Sequence, residues 1–189
     1  MVILVDQDNT LNKMWETFVE HASHHCKRHF PFLKADDLDV YNLAETLGIK
    51  DPDEQRDLFR AVFTNPNFWL DIPPLDGAVE GMRWLTNHPK VKQLIIVTHP
   101  WDGYDECDAL KRQWVRRHMP FFDTADMCFT RHKHLLSGGD ILIDDAPANL
   151  CTFPNDTIRI SYPYNYECDS TYTAQNWEDV IRILDRRLR

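Results

Sequence analysis

No stretch of this 189-residue chain is long and apolar enough to cross a bilayer. A basic excess is missing too: 21 Lys and Arg stand against 30 Asp and Glu, a formal charge of −9. Duplex nucleic acid asks for a basic face, so the balance argues against binding it unaided. An acidic protein that handles an anionic substrate must recruit local cations or a metal. The N-terminus enters an apolar run at once, without the basic-then-apolar layout of a secretory signal. Cysteines are few and scattered (Cys26, Cys107, Cys128, Cys151 and Cys168), odd in number and without a CxxC pair. Neither a disulfide framework nor a zinc knuckle is expected, and a reduced cytoplasm fits. His21, His24, His25 and His29 surround Cys26 but lack an acidic or cysteine partner at zinc spacing, and read as a polar helix face. Internal repeats and low-complexity segments are absent. The 43% hydrophobic content suffices for one compact core with a small appended lobe.

What is present starts at the first residues. The apolar run at 2–5 stops abruptly at Asp6 and Asp8, followed by Asn9 and Thr10. Such a run reads as a strand buried on both faces of a parallel sheet. Open α/β sheets place their active sites just past the C-terminal ends of such strands. Taken alone, the two acids could equally be a helix cap and a turn residue. Met14, Phe18, Ala22 and Cys26 then recur at helical spacing, predicting a helix over 13–29 closed by Pro31. Residues 32–72 hold short helical pieces near 40–47 and 53–63, with Gly48 as a helix stop. Pro73, Pro74 and Gly77 punctuate the chain before a helix at about 78–87.

Further strands are expected at 94–97, 127–130, 141–143 and 157–161, with helices at 105–118 and 177–187. The expected fold is α/β, a Rossmann-like parallel sheet flanked by helices, with a small helical cap inserted after the first strand. The core would comprise 1–13 and 76–189, and 14–75 would be the cap, a lid over the strand ends.

Four of these strands end in polar groups: Asp6 and Asp8, Thr98, Arg131 with Lys133, and Asp144 with Asp145. In a parallel sheet those ends share one edge. A nucleophile, a hydroxyl, a cation and a second acidic pair together suit metal-assisted phosphoryl transfer through an aspartyl-phosphate. Asp6 would attack phosphorus. Asp8 would protonate the leaving alkoxide and then deprotonate the hydrolytic water. Mg²⁺ between Asp6, the Asp8 backbone carbonyl and Asp145 would relieve the repulsion between carboxylate and phosphate. Thr98 would bond a phosphoryl oxygen, Lys133 would balance charge, and Asn9 tolerates a left-handed backbone in the loop. Phe18 and Trp114 read as core. Lys111 is a rival for the catalytic lysine, but inside the charged segment DALKRQWVRR it reads as a solvated helix face, so Lys133 is preferred. Asp140 reads as a turn residue, and Asp102 and Asp105 as loop and cap acids. Arg116, Arg117 and the terminal RRLR read as surface charge.

VDQDNTL, IIVT, Lys133 and LIDD resemble the four motifs of the haloacid dehalogenase-like phosphatase superfamily in content, order and strand-end placement. FWLDIPPLDGAVEGMRWL, IIVTHP, KRQWVRRHMP, FTRHK and ILIDDAP are similar to the 5′(3′)-deoxyribonucleotidases, or cytosolic type C nucleotidases, over residues 68–147 and the opening strand. That resemblance implies a catalytic pair at Asp6 and Asp8 and phosphate ligands at Thr98, His99 and Lys133. It also implies metal-side acids at Asp144 and Asp145, and Arg131 near the substrate. It implies aromatic base recognition in the insert, for which Tyr41, Phe63, Phe68 and Trp69 are the candidates. Two positions depart from the family: His99 stands where a small hydroxyl residue is usual, and Asn42 where an aromatic is expected.

The resulting expectation is a cytoplasmic, Mg²⁺-dependent phosphatase acting on (deoxy)nucleoside monophosphates. Its partners would be a small phosphomonoester, no duplex nucleic acid and no membrane, with homodimerisation allowed. The alternatives are another small phosphoester, such as a sugar phosphate, and a non-catalytic nucleotide-binding scaffold. Dehalogenation is disfavoured by Asp8, because a halide leaving group needs no proton donor.

Overall fold

The computed structural model describes residues 1–26, 30, 41 and 43–189. His29, Pro31 and Asn42, singled out above, lie outside the described residues.

Six strands form one sheet: β1 Val2–Val5, β2 Gln93–Thr98, β3 Met127–Phe129, β4 Ile141–Asp144, β5 Asp156–Ile160 and β6 Tyr172–Ala174. The order is β3-β2-β1-β4-β5-β6, and every neighbouring pair is parallel. Val5 of β1 lies opposite Ile96 on one side and Ile143 on the other. The chain builds outward from β1 through β2 and β3, then returns to place β4 on the opposite flank of β1. That reversal opens a crevice beyond the C-terminal ends of β1 and β4, where ligands bind in sheets of this kind.

Alternation along each strand divides the core between the two sheet faces. Ile3, Val5, Ile96, Ile141, Ile143, Ile158 and Ile160 join a large cluster that contains Phe18, Trp114 and Trp177. Leu4, Val97 and Leu142 face the other way, onto Phe153. Among the described residues five helices fall between β1 and β2, the first four being α1 Met14–Cys26, α2 Leu43–Thr46, α3 Pro52–Phe63 and α4 Pro66–Asp71. Then follow α5 Ala78–Asn87, α6 Cys107–His118, α7 Pro147–Thr152 and α8 Trp177–Leu188. Among the described residues, no helix is long and apolar enough to cross a membrane.

The local causes are visible. Asp51 and Asn65 cap α3 and α4 by accepting bonds from Asp53 N and Asn67 N, with proline next in each case. Gly48 follows α2 at φ 72°, with its N–H on the Glu45 carbonyl at 2.9 Å, the left-handed stop expected of it. Asp140 accepts from Val2 N at 2.7 Å, a turn acid as read. Phe18 and Trp114 are fully buried.

Three elements were not anticipated. The helices α4 and α7 are six residues each, too short to show helical periodicity. In β6 only Ala174 is buried, so three residues present no apolar run.

Gly81 of α5 lies against the indole of Trp177. A Cβ there would stand 2.3 Å from Cε3 and 2.8 Å from Cζ3. The ring cannot retreat freely, because its Nε1 donates to the Thr10 carbonyl at 2.7 Å. Gly81→Ala is therefore expected to destabilise the fold by about 1–3 kcal/mol, read as a lowered thermal unfolding midpoint.

Candidate active site

Where β1 ends, Asp6 N still donates to the Ile143 carbonyl at 2.9 Å, so the acid starts from a backbone fixed by the sheet. The loop then turns tightly. Leu11 N donates to the Gln7 carbonyl at 2.8 Å, and Asn9 adopts φ 55°, the left-handed conformation anticipated for it. Outside groups hold this loop in place. The Asn9 side chain accepts from Trp15 N at 3.1 Å, and its carbonyl accepts from the Tyr162 hydroxyl at 2.8 Å.

Two buried ammonium groups organise the acids. Lys133, on the 3-10 turn Lys133–Leu135 after β3, donates to Asp6 Oδ1 at 2.5 Å and to Asp144 Oδ2 at 2.7 Å. Lys111 of α6 donates to Asp8 Oδ2 at 2.5 Å, to Thr98 Oγ1 at 2.8 Å and to the His99 carbonyl at 2.8 Å. This corrects the reading of Lys111 as a solvated charge: it is 1% exposed. The cause is its slot in α6. Cys107, Leu110, Lys111, Trp114 and Val115 are the buried residues of that helix, one face at helical spacing. The sequence offers Lys111 only as a rival to Lys133 and sets it aside; its place within that stripe is the signal for an inward position.

Behind these groups, carboxylate oxygens of Asp6, Asp144 and Asp145 lie within 4.8 Å of one another, a group that could hold a metal ion. Asp144 also accepts from Ala146 N at 2.8 Å and from the Asn149 amide at 3.1 Å. Asp145 accepts from the Tyr164 hydroxyl at 2.6 Å, and its carbonyl accepts from Asn165 Nδ2 at 2.7 Å. Hydrogen bonds to ligating carboxylates of this kind fix their orientation.

The electrostatics follow from burial. Desolvation pushes the Asp6 carboxyl up to about 7, against the pull of Lys133 and with further upward pressure from Asp144 and Asp8. Burial, then the Asp144 and Asp6 charges, drives Asp145 well above the usual carboxylate range. For Lys133, burial favours losing the proton, but the Asp144 and Asp6 carboxylates outweigh it and the pKa stays raised. Desolvation first, then the cations Arg131, Lys111 and Lys133, lowers that of His99.

A cavity of about 310 Å³ opens over Asp6, Asp8 and Lys133. Of the proposed aromatic platform, Tyr41, Phe63 and Trp69 line it, as does His99. Met14, Trp15, Phe59 and Trp101 also line it and are not among the site candidates read from the sequence. Phe68 does not. It is fully buried, with its ring edge-on to Phe18, Phe63 and Trp69. Arg131 is half-exposed, pairs with Asp102 and is not among the lining residues. A larger groove of about 870 Å³ runs past Glu16, Glu20, Asp76 and Gln175, but it includes none of the strand-end acids. Size therefore does not mark the chemistry here.

Comparison with known proteins shows the family and the fold. The sequence profile of the family described as "5′ nucleotidase, deoxy (Pyrimidine), cytosolic type C protein" matches residues 1–188. A Bordetella pertussis protein named "Putative 5′(3′)-deoxyribonucleotidase" is 31% identical over 188 residues, covering 96% of this chain and 95% of its own. The human cytosolic-type 5′(3′)-deoxyribonucleotidase is 34% identical over 89 residues, 47% of this chain and 43% of that one. Among solved structures, a HAD family hydrolase from Deinococcus radiodurans with bound phosphate and sodium superposes with a TM-score of 0.63. It shares 13% identity and covers 99% of this chain and 96% of its own, a likeness of fold.

Proposed function

This chain belongs to the cytosolic type C 5′ (deoxy, pyrimidine) nucleotidase family of haloacid dehalogenase-like proteins, and on that premise we propose that it hydrolyses (deoxy)nucleoside monophosphates. The observation that carries the reading is the pair of ion pairs, Asp6 with Lys133 and Asp8 with Lys111, whose two acids line one cavity at the reversal point of the sheet.

The donor set fits Mg²⁺. Asp6, Asp144 and Asp145 are hard oxygen ligands clustered within 4.8 Å. With Asp8, four carboxylates meet only two ammonium groups, an imbalance that a divalent cation cancels. Asp6, Asp144 and Asp145 would hold the ion, with the Asp8 carbonyl as a further donor. The bound ion supplies neutralisation of the phosphoryl oxygens and of the attacking carboxylate.

The chain's own groups do the rest. A carboxylate oxygen of Asp6 attacks phosphorus, and the bond from phosphorus to the ester oxygen breaks as Asp8 gives that oxygen its proton. Asp8 then takes a proton from the water that attacks the aspartyl-phosphate, which returns Asp6 to its carboxylate form. Lys133 and Thr98 bind phosphoryl oxygens, and Lys111 fixes the orientation of Asp8 and Thr98. Residues 14–75 act as the cap. Tyr41, Phe63 and Trp69, joined by Met14, Trp15 and Phe59, give the base an apolar wall. Phe68 supports Phe63 and Trp69 from behind, and Arg131 stays with Asp102 at the rim.

A panel of monophosphates with Mg²⁺ tests this. Phosphate release from 5′-dUMP and 5′-dTMP is expected to exceed release from sugar phosphates by at least about tenfold in kcat/KM. Equal rates on nucleotides and a generic aryl phosphate would remove base recognition. Binding without any phosphate release would make the chain a scaffold.

A further inference from the structure

Two of the five thiols meet. Cys151 and Cys168 lie 17 residues apart in sequence, yet their Sγ atoms are 3.0 Å apart. Cys151 is exposed near the end of α7, and Cys168 is half-buried in the loop after β5.

Each thiol sits on a segment that supports one of the metal-side acids. On α7, Asn149 donates to Asp144. In the loop, Tyr164 and Asn165 donate to the side chain and carbonyl of Asp145. Arg159 fixes that loop by donating to the carbonyls of Asn165 at 2.9 Å, Tyr166 at 2.8 Å and Cys168 at 2.6 Å. The sulfur of Cys168 is thus held by its backbone, facing Cys151.

We propose that Cys151 and Cys168 form a reversible disulfide that joins the two supports of Asp144 and Asp145. A glutathione-type disulfide is the oxidant. Cys151, open to solvent, loses its proton and attacks one glutathione sulfur, breaking that disulfide and releasing a glutathione thiolate. Cys168 then loses its proton and attacks the sulfur of Cys151 in the mixed disulfide, releasing the second thiolate. The two protons end on the two glutathione thiols, so one disulfide is reduced as one is made. Desolvation and the hydrogen bond with Cys151 push the Cys168 thiol up to about 12, which makes Cys151 the first attacker. The native contact needs only a short approach of the sulfurs, so the cross-link constrains the unfolded chain with little cost to the fold.

The test treats the full chain with oxidised glutathione, then combines thiol counting, peptide mass mapping and thermal unfolding. The expected result is loss of two of the five thiols, a peptide joined through Cys151 and Cys168, and a midpoint raised by about 5–10 °C. Dithiothreitol should reverse all three. Cys151→Ser, a change at an exposed position, should abolish them, and Cys128→Ser should not. Five thiols remaining, glutathione retained on Cys151, or an unraised midpoint in the linked protein would each overturn the proposal. Every readout is independent of the substrate.

Discussion

Asp6→Asn is expected to lower kcat by at least about a thousandfold, because the group that makes the covalent bond to phosphorus is gone. The amide keeps the shape of the carboxylate but offers no nucleophilic charge. The loss is not expected to come from unfolding. Lys133 keeps Asp144 as a partner at 2.7 Å, and the Asp6 backbone is fixed by the sheet. The electrostatics point the same way. In the metal-free protein the Asp6 carboxyl has been raised from 3.8 to about 7. Between those values the folded state holds more protons than the unfolded one, so ionising Asp6 lowers stability as pH rises through that window. Asparagine removes that cost. In chelator at pH 7, the variant should therefore melt no lower than the parent, while its turnover collapses. A thermal scan beside a phosphate-release assay separates the two effects.

Lys111→Met should produce the second largest loss, about a hundred- to a thousandfold in kcat/KM. Methionine fills the slot within the buried face of α6 but removes the donor to Asp8, Thr98 and the His99 carbonyl together. The Asp8 carboxyl and the Thr98 hydroxyl both lose the partner that orients them. Lys111→Arg should also be impaired, because a planar guanidinium does not fit three acceptors gathered around one ammonium. A lysine on a solvated helix face would tolerate both changes. Steady-state kinetics of the two variants, compared with their unfolding midpoints, decide the matter.

The legible parts of the molecule were those in which periodicity and chemistry coincide. VILVD, LIIVT and ILIDD each show an apolar run ending in a polar group, and the structure aligns those ends on one edge. Asn9 announced its left-handed backbone by residue type. Lys133 was legible only through its place after the third strand, since a 3-10 turn leaves no periodic trace. Lys111 was hidden by composition: DALKRQWVRR is rich in charge, and only the spacing of its neighbours reveals an inward position. The aromatic wall was half legible. Phe68 and Trp69 are neighbours on α4, and tertiary packing turns Trp69 toward the cavity and Phe68 into the core. Trp101 comes from the loop after β2, where no repeat could have marked it. The thiol contact arises from the path of β5, which returns residue 168 to α7 across a separation that carries no local signal.

The most direct measurement of the central claim is rapid acid quench of the Asp8→Asn protein turning over an aryl phosphate with Mg²⁺, followed by peptide mass mapping. Asp8 supplies the base for the second half-reaction, while an aryl leaving group needs little help in the first, so the intermediate should accumulate. A phosphoryl group found on Asp6, at close to one per chain, is the expected result. Phosphate released with no phosphorylated residue, or a phosphoryl group on any residue other than Asp6, would contradict the account.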